Sequence, residues 1–110
     1  MRLEVYVAVE DMERAVAFYS RLFREEPVRR TPKYAGYRSG FGLMLSTGYS
    51  VPVQRGNSAV PTLIVENLDT EHARIEPPAP TVTAITQVGD FRLFMFIDPD
   101  GNVIEMAQTA

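Results

Sequence analysis

Residues 94–105 read FMFIDPDGNVIE: an apolar run, a sharp turn, and a second apolar run that carries one carboxylate, Glu105. Pro99 presets φ at the second turn position, and Gly101 supplies the conformational freedom that the end of a hairpin needs. The neighbouring Asp and Asn side chains are expected to cap local backbone amides. The stretch therefore predicts two strands joined by a tight turn, and this turn fixes the face of the last strand on which Glu105 lies.

The start of the chain predicts another strand, followed by a helix. Residues 3–9, LEVYVAV, alternate between two faces, with Glu4 and Tyr6 together on one of them. Asp11 is a good N-cap for the next segment, in which apolar residues recur at helical spacing as far as about Glu25.

The pattern of the first half repeats in the second half. Residues 9–13, VEDME, are echoed 56 positions later by residues 65–69, VENLD. Residues 40–44, GFGLM, align 61 positions later with residues 101–105, GNVIE. Two copies of a strand-helix-strand-strand-strand unit follow. The second helix is predicted at 69–75, cut short by prolines, and further strands are predicted at 26–31, 34–39, 41–47, 81–88, 91–97 and 102–108.

The repeat also defines the domain organisation. At 110 residues and 45% hydrophobic content, the chain is expected to form one domain, residues 1–110, with its own core. Module 1 is predicted at about 1–47 and module 2 at about 60–110. Residues 48–59 are rich in Gly, Pro, Ser and Asn, which is typical of a linker or of a mobile loop that closes over a ligand. Arg55 is the charged group there that could reach an anion.

Composition excludes several function classes. The chain has no cysteine, so it offers no disulfide framework and no thiolate metal site. Its net charge of −3 argues against nucleic-acid binding, and no apolar run approaches the roughly 18 residues of a membrane span. The N-terminus shows no leader pattern, so a cytoplasmic protein is expected.

One stretch is locally basic. Five of the eleven basic residues fall within fifteen positions, at Arg24, Arg29, Arg30, Lys33 and Arg38. Solvated strand positions explain such a run, and anion binding is the alternative.

Two motifs, residues 9–19 (VEDMERAVAFY) and residues 98–105 (DPDGNVIE), resemble the vicinal oxygen chelate superfamily, which includes glyoxalase I, bleomycin-binding proteins and extradiol dioxygenases. The resemblance covers essentially the whole chain. It implies an α+β fold of two βαβββ modules related by a pseudo-twofold, whose curled mixed sheets enclose a cleft, and it implies a homodimer.

The enzymes of this superfamily hold a divalent metal with one residue from each of four strands. By motif, these positions fall on Glu4, Met44, Val60 and Glu105, and the internal repeat relates Glu4 to Val60 and Met44 to Glu105. Two of the four are not metal ligands, so no metal cofactor is expected, although two carboxylates and waters can hold Mg²⁺ weakly. His72 lies far along the chain from these positions.

The resemblance brings Glu4 and Glu105 together in the cleft, which leaves several hypotheses open. The first is metal-independent binding of a small cationic or aromatic molecule. The second is a metal-free lyase or isomerase in which one glutamate, its pKa raised by the other, is the general base. The third is a structural remnant in which Arg38 or Arg92 pairs with the glutamates, and a divalent-metal lyase of the glyoxalase I type is the fourth. The expected ligand-binding residues are Tyr6, Met44, Val60, Thr62, Arg92, Phe94, Phe96 and Arg55.

Overall fold

The computed structural model describes residues 2–49, 59–75 and 81–109, and the chain divides into two compact units, Met1–Arg55 and Gly56–Ala110. In module 1 a four-stranded sheet has the order β1-β4-β3-β2, with β1 and β4 parallel and the other neighbours antiparallel. A short 3₁₀ turn, Ser46–Gly48, follows the last strand. The elements are β1 (Val5–Val9), α1 (Met12–Phe23), β2 (Arg29–Arg30), β3 (Tyr34–Gly36) and β4 (Phe41–Leu45).

Module 2 repeats this topology. Its first strand is parallel to its last strand, and the remaining strands continue the sheet in antiparallel order. Two short strands, β6 and β7, pair with successive parts of the same edge of β8, so they occupy the place of one strand. The elements are β5 (Thr62–Ile64), α2 (Leu68–Ile75), β6 (Thr81–Val82), β7 (Thr86–Val88), β8 (Phe91–Ile97) and β9 (Val103–Thr109).

Two βαβββ modules therefore form the chain, as the sequence predicts. The strand predicted at 81–88 is interrupted, because the Met95 amide donates to the Thr83 hydroxyl at 2.9 Å instead of to a backbone carbonyl. Neither helix of the described residues is long and apolar enough to cross a membrane.

The repeated motifs have the same local structure in both modules. The Asp11 carboxylate accepts from the Arg14 amide at 3.1 Å, and the Asn67 side chain accepts from the Thr70 amide at 3.1 Å. Each therefore caps the N-terminus of its helix. The turns before the last strands also match, since Gly40 and Gly101 have φ of 99° and 88°.

The register of the parallel strand pair differs between the modules. Tyr6 lies opposite Gly42, 36 residues further along the chain, whereas Thr62 lies opposite Glu105, 43 residues further along. The separation in module 2 is thus seven residues longer than in module 1. The difference between the two sequence offsets, 61 and 56, accounts for five of the seven. In module 1 Met44 lies beside Ala8, whose equivalent is Ile64, so the parallel pair of module 2 is shifted by two residues and Glu105 lies beside Thr62 and not beside Ile64.

Each helix packs on one face of its own sheet. In module 1 the ring of Tyr19 is fully buried and lies 4.8 Å from the ring of Phe41. In module 2 the fully buried Leu68 begins α2, and its amide donates to the Gln108 side chain of β9 at 2.7 Å. Full burial of one such apolar side chain contributes about 1.5–3 kcal/mol. The opposite face of each sheet points away from the helix of its own module and is available for other contacts.

The turn between β8 and β9 is closed by backbone bonds of Asp98 with Gly101 and Asn102 and by the Asp98 carboxylate. Asp98 is 1% exposed and accepts from the amides of Asp100 and Asn102 at 2.9 and 2.8 Å and from the Asn102 side chain at 3.0 Å. The amide capping that the sequence predicts for this turn is therefore present. It sets the hairpin register that pairs Met95 with Glu105.

Candidate functional site

Glu105 lies on the face of the module 2 sheet that points away from α2. Successive residues of a strand point to opposite faces, and the neighbours Ile104 and Met106 are buried on the helix side. Across the sheet Glu105 is in register with Met95 on one side and with Thr62 on the other. The Thr62 hydroxyl donates to the half-buried Glu105 carboxylate at 3.1 Å. This bond holds the carboxylate over the sheet.

The surroundings of Glu105 on this face are apolar. Leu93, Ile97 and Val103 are half-buried, and Phe91 and Met95 are 41% and 37% exposed. Among the described residues of β5, β7, β8 and β9 that register places on this face, Glu105 is the only charged one. We call this surface, formed by Thr62, Phe91, Leu93, Met95, Ile97, Val103 and Glu105, the Glu105 face.

The structure corrects the expectation for Phe94, Phe96 and Arg92. Phe94 and Phe96 are 0% and 1% exposed and lie on the helix side of the sheet, where the ring of His72 meets Phe94 edge-on at 4.7 Å. Arg92 lies on the same side and donates two 3.1 Å bonds to Asp69 of α2, which lowers the pKa of that carboxyl. None of the three lies on the Glu105 face, because Met95 and not Phe94 or Phe96 is opposite Glu105.

Glu4 has a different environment, since it lies within a polar cluster of module 1. The Tyr6 hydroxyl donates to the Glu4 carboxylate at 2.9 Å, Arg29 donates at 3.2 Å, and Arg2 forms a further ion pair. The hydrogen bonds from Tyr6 and Arg2, and the charge of Arg29, hold the pKa of Glu4 below its usual value. This direction is opposite to the raised pKa that a general base near neutral pH needs.

A row of residues across the module 1 sheet explains how this cluster forms. Arg29, Gly36, Gly42 and Tyr6 lie side by side on β2, β3, β4 and β1. A Cβ at Gly42 would lie 2.3 Å from the Tyr6 ring, and one at Gly36 would lie 2.8 Å from Arg29 Nη2. The glycines leave room for the two outer side chains to fold over the sheet, and Arg29 reaches the Tyr6 hydroxyl at 3.3 Å.

The remaining expected site residues have varied positions. Met44 is half-buried and opposite Ala8 and Tyr34, Val60 is 39% exposed just before β5, and Arg55 lies outside the described residues. The expected pairing of Arg92 with a glutamate gives way to its pairing with Asp69. The convergence of Glu4 and Glu105 across the two modules stays a prediction.

Metal ligation has little support from the side chains. In residues 2–49, 59–75 and 81–109, no group of three or more His, Asp or Glu side chains is arranged to hold a metal ion. His72 Nε2 lies 2.8 Å from the carbonyl oxygen of Thr83, which ties this ring to the residue that follows β6.

Sequence reasoning missed Met95, Leu93 and Ile97 as parts of the Glu105 face. The signal was present in the turn, because a hairpin closed between Ile97 and Val103 brings Met95 opposite Glu105. Sequence reasoning also missed the contact of Arg29 with Glu4, two residues 25 positions apart.

Solved structures similar to this chain cover nearly its full length. A glyoxalase-related enzyme from Fulvimarina pelagi has a TM-score of 0.84 at 20% identity, over 99% of this chain and 88% of that one. A glyoxalase/bleomycin resistance protein from Catenulispora acidiphila has a TM-score of 0.70 at 26% identity, over 99% and 100%. TnmS3, an antibiotic binding protein from Streptomyces sp. CB03234, has a TM-score of 0.78 at 24% identity, over 100% and 97%.

Sequence comparison gives a shorter match. The cadmium-induced protein CadI of Mycobacterium tuberculosis is 47% identical over 36 residues, which are 33% of this chain and 24% of that protein. The aligned stretch thus spans about a quarter of the curated relative. No family model matches the chain.

Proposed function

We propose that this chain, which has the glyoxalase-like fold of the vicinal oxygen chelate superfamily as its two motifs predict, binds a small cationic or aromatic molecule on the Glu105 face. Binding in this proposal requires no metal. The anionic Glu105 attracts the cationic group of the ligand, while the apolar side chains around it contact the ligand body.

One observation carries the proposal: a carboxylate without a described cationic partner lies on an otherwise apolar sheet face that is accessible to solvent. Apolar walls with a few well-placed polar groups are typical of small-molecule sites. A lone carboxylate on such a surface favours a ligand that brings the opposite charge, because the apolar surroundings reduce screening by water. Two similar structures, a glyoxalase/bleomycin resistance protein and an antibiotic binding protein, agree with a role in binding.

Proton-transfer catalysis is the competing proposal, and its best candidate is Glu105. Glu4 is disfavoured as a general base, since Tyr6, Arg2 and Arg29 stabilise its ionised form and lower its pKa. We therefore assign Glu4 a structural role within module 1. The predicted homodimer is tested separately by sedimentation analysis of the full chain.

The binding proposal is tested with benzyltrimethylammonium, a small aromatic cation, and with benzyl alcohol, a neutral aromatic of related shape. Glu105→Gln should weaken binding of the cation about tenfold, because it removes one charge-assisted contact, and should change binding of benzyl alcohol less than twofold. Nuclear magnetic resonance titration measures both affinities. Resonances of Met95 and Thr62 should shift on binding, because these residues flank Glu105.

Glu66→Gln provides the matched control. Glu66 is exposed, belongs to the same module and lies between β5 and α2, away from the Glu105 face. The Glu66→Gln substitution changes the net charge by the same amount as Glu105→Gln. Equal weakening of cation binding in both variants would indicate general charge attraction and would contradict a site at Glu105.

A further inference from the structure

The basic stretch of module 1 borders a cavity that the binding proposal does not use. The cavity has a volume of about 250 Å³ and lies at the start of β1, next to the turn that precedes β4. Its charged lining consists of Arg2, Arg29, Arg38 and Glu4. Three arginines and one glutamate give the lining residues a net charge of +2.

The two arginines nearest to Glu4 retain free donors. Arg2 and Arg29 share the single Glu4 carboxylate, and the bonds of Arg29 to Glu4 and Tyr6 both use Nη2. A guanidinium has five N–H donors, and Nη1 and Nε of Arg29 bond to none of the residues that the structure describes, so they remain for another acceptor. Because Tyr6 and Glu4 raise the pKa of Arg29, this group stays charged.

Arg38 is the third cation of the lining. No hydrogen bond or ion pair joins its guanidinium to any other described residue, and the exposed Ser39 follows it in the turn. Guanidinium groups bind the planar edges of phosphate and carboxylate groups through paired N–H donors. A cavity that gathers three of them against one carboxylate is therefore suited to an added anion.

We propose that this cavity binds a small doubly charged oxyanion of the phosphate or dicarboxylate type. A cavity of about 250 Å³ has room for such an ion. Arg38 supplies the unshared cationic contact, Arg29 supplies its remaining donors, and Glu4 competes with the anion for the arginines. The residues of this cavity all belong to module 1 and those of the Glu105 face all belong to module 2, so either proposal can fail without the other.

Titration of the full chain with sodium phosphate and, in parallel, with sodium malonate tests the proposal, with ionic strength held constant by sodium chloride. We expect saturable shifts of the backbone amide resonances of Arg38, Ser39 and Gly40 with at least one of the two anions. The anion that binds more tightly identifies the type of anion that the cavity prefers. Absence of any saturable shift at about 10 mM, ten times a Kd of about 1 mM, overturns the proposal.

Three variants make the test specific. Arg38→Gln should weaken binding of the tighter anion about tenfold, whereas Lys33→Gln, an equal charge change in the same basic stretch but outside the cavity, should change it less than twofold. Glu4→Gln should strengthen binding several-fold, because it releases two arginines. Equal effects of Arg38→Gln and Lys33→Gln, or weaker binding by Glu4→Gln, would overturn the proposal.

Discussion

The sheet face that points away from the helix carries a polar, internally bonded cluster in module 1, whereas in module 2 it is apolar around Glu105 and accessible to solvent. Both modules share one topology, and each carries a glutamate near this face. Glu4 is held by Tyr6, Arg2 and Arg29, and Glu105 only by the Thr62 hydroxyl among the described residues. Gly36 and Gly42 make the first arrangement possible, because they let long side chains lie flat on the sheet.

This difference indicates that the two glutamates have different uses. The charge of Glu4 is compensated within its own module, so its replacement should alter the local cluster. The charge of Glu105 has no such compensation from residues 2–49, 59–75 and 81–109, so its replacement should alter what the protein binds. A repeated fold therefore does not imply a repeated function for equivalent acidic residues.

The largest expected effect concerns the turn that orients Glu105. Asp98→Ala leaves three donors, on Asp100 and Asn102, without their acceptor in a buried turn, and should lower the free energy of unfolding by about 3 kcal/mol. In module 1 the equivalent turn has the same two backbone bonds, between Tyr37 and Phe41 and between Gly40 and Tyr37, but Tyr37 provides no carboxylate. Urea denaturation of the full chain measures the change.

Asp98→Asn is the control for this prediction. It keeps one acceptor oxygen and should cost less than Asp98→Ala. If Asp98→Ala changes the free energy of unfolding by less than about 0.5 kcal/mol, the range of an ordinary surface substitution, then the carboxylate does not hold the turn.

The next effect concerns the glycine row of module 1. Gly42→Ala places a Cβ against the Tyr6 ring, which must rotate away, and should cost about 1–3 kcal/mol as overpacking. Gly36→Ala, in the same row, meets only the far end of the flexible Arg29 side chain and should cost less. Urea denaturation of both variants measures this difference.

A double variant tests the cause. If the Tyr6 ring is the obstacle, Tyr6→Ala combined with Gly42→Ala should be more stable than the sum of the two single changes indicates. Equal costs for Gly36→Ala and Gly42→Ala would mean that the Tyr6 ring does not rest on Gly42.

Much of the fold could be predicted from sequence, because its signals are local. Strand alternation, the caps at Asp11 and Asn67 and the turn at Asp98 each act within a few residues, and together they locate the elements. The register of β5 on β9 could not be read in this way, since local motifs do not fix how far one strand slides along a parallel partner. The two-residue shift that brings Thr62 beside Glu105 follows from that non-local packing.

The site was harder to predict than the fold for the same reason. Arg29 reaches Glu4 across four strands, over two glycines, and no local motif connects these positions. The face of Phe94 and Phe96, in contrast, could have been read from the turn, since alternation from Met95 excludes both from the side of Glu105. Aromatic composition alone wrongly favoured Phe94 and Phe96 as ligand-binding residues, because a small hydrophobic core uses the same residue types as a binding pocket.

The smallest expected effect is the pH dependence that Glu4 contributes. Its pKa in the folded chain is lowered from 4.5, so its contacts stabilise the fold fully above about pH 4.5, and this contribution is lost as the pH falls through the lower folded value. The Glu4→Gln variant lacks the carboxylate and therefore lacks this contribution at every pH. Its Tm should lie slightly below that of the wild type at pH 6, and the difference in Tm should close on acidification below pH 4.5. The effect should be small because Glu4 is accessible to solvent, where salt screens ion pairs. Added sodium chloride should therefore narrow the difference in Tm at pH 6, since the Arg2 and Arg29 contacts are ionic. A difference in Tm that widens on acidification would mean that the pKa of Glu4 is raised. Glu4 would then be a candidate general base, as Glu105 is.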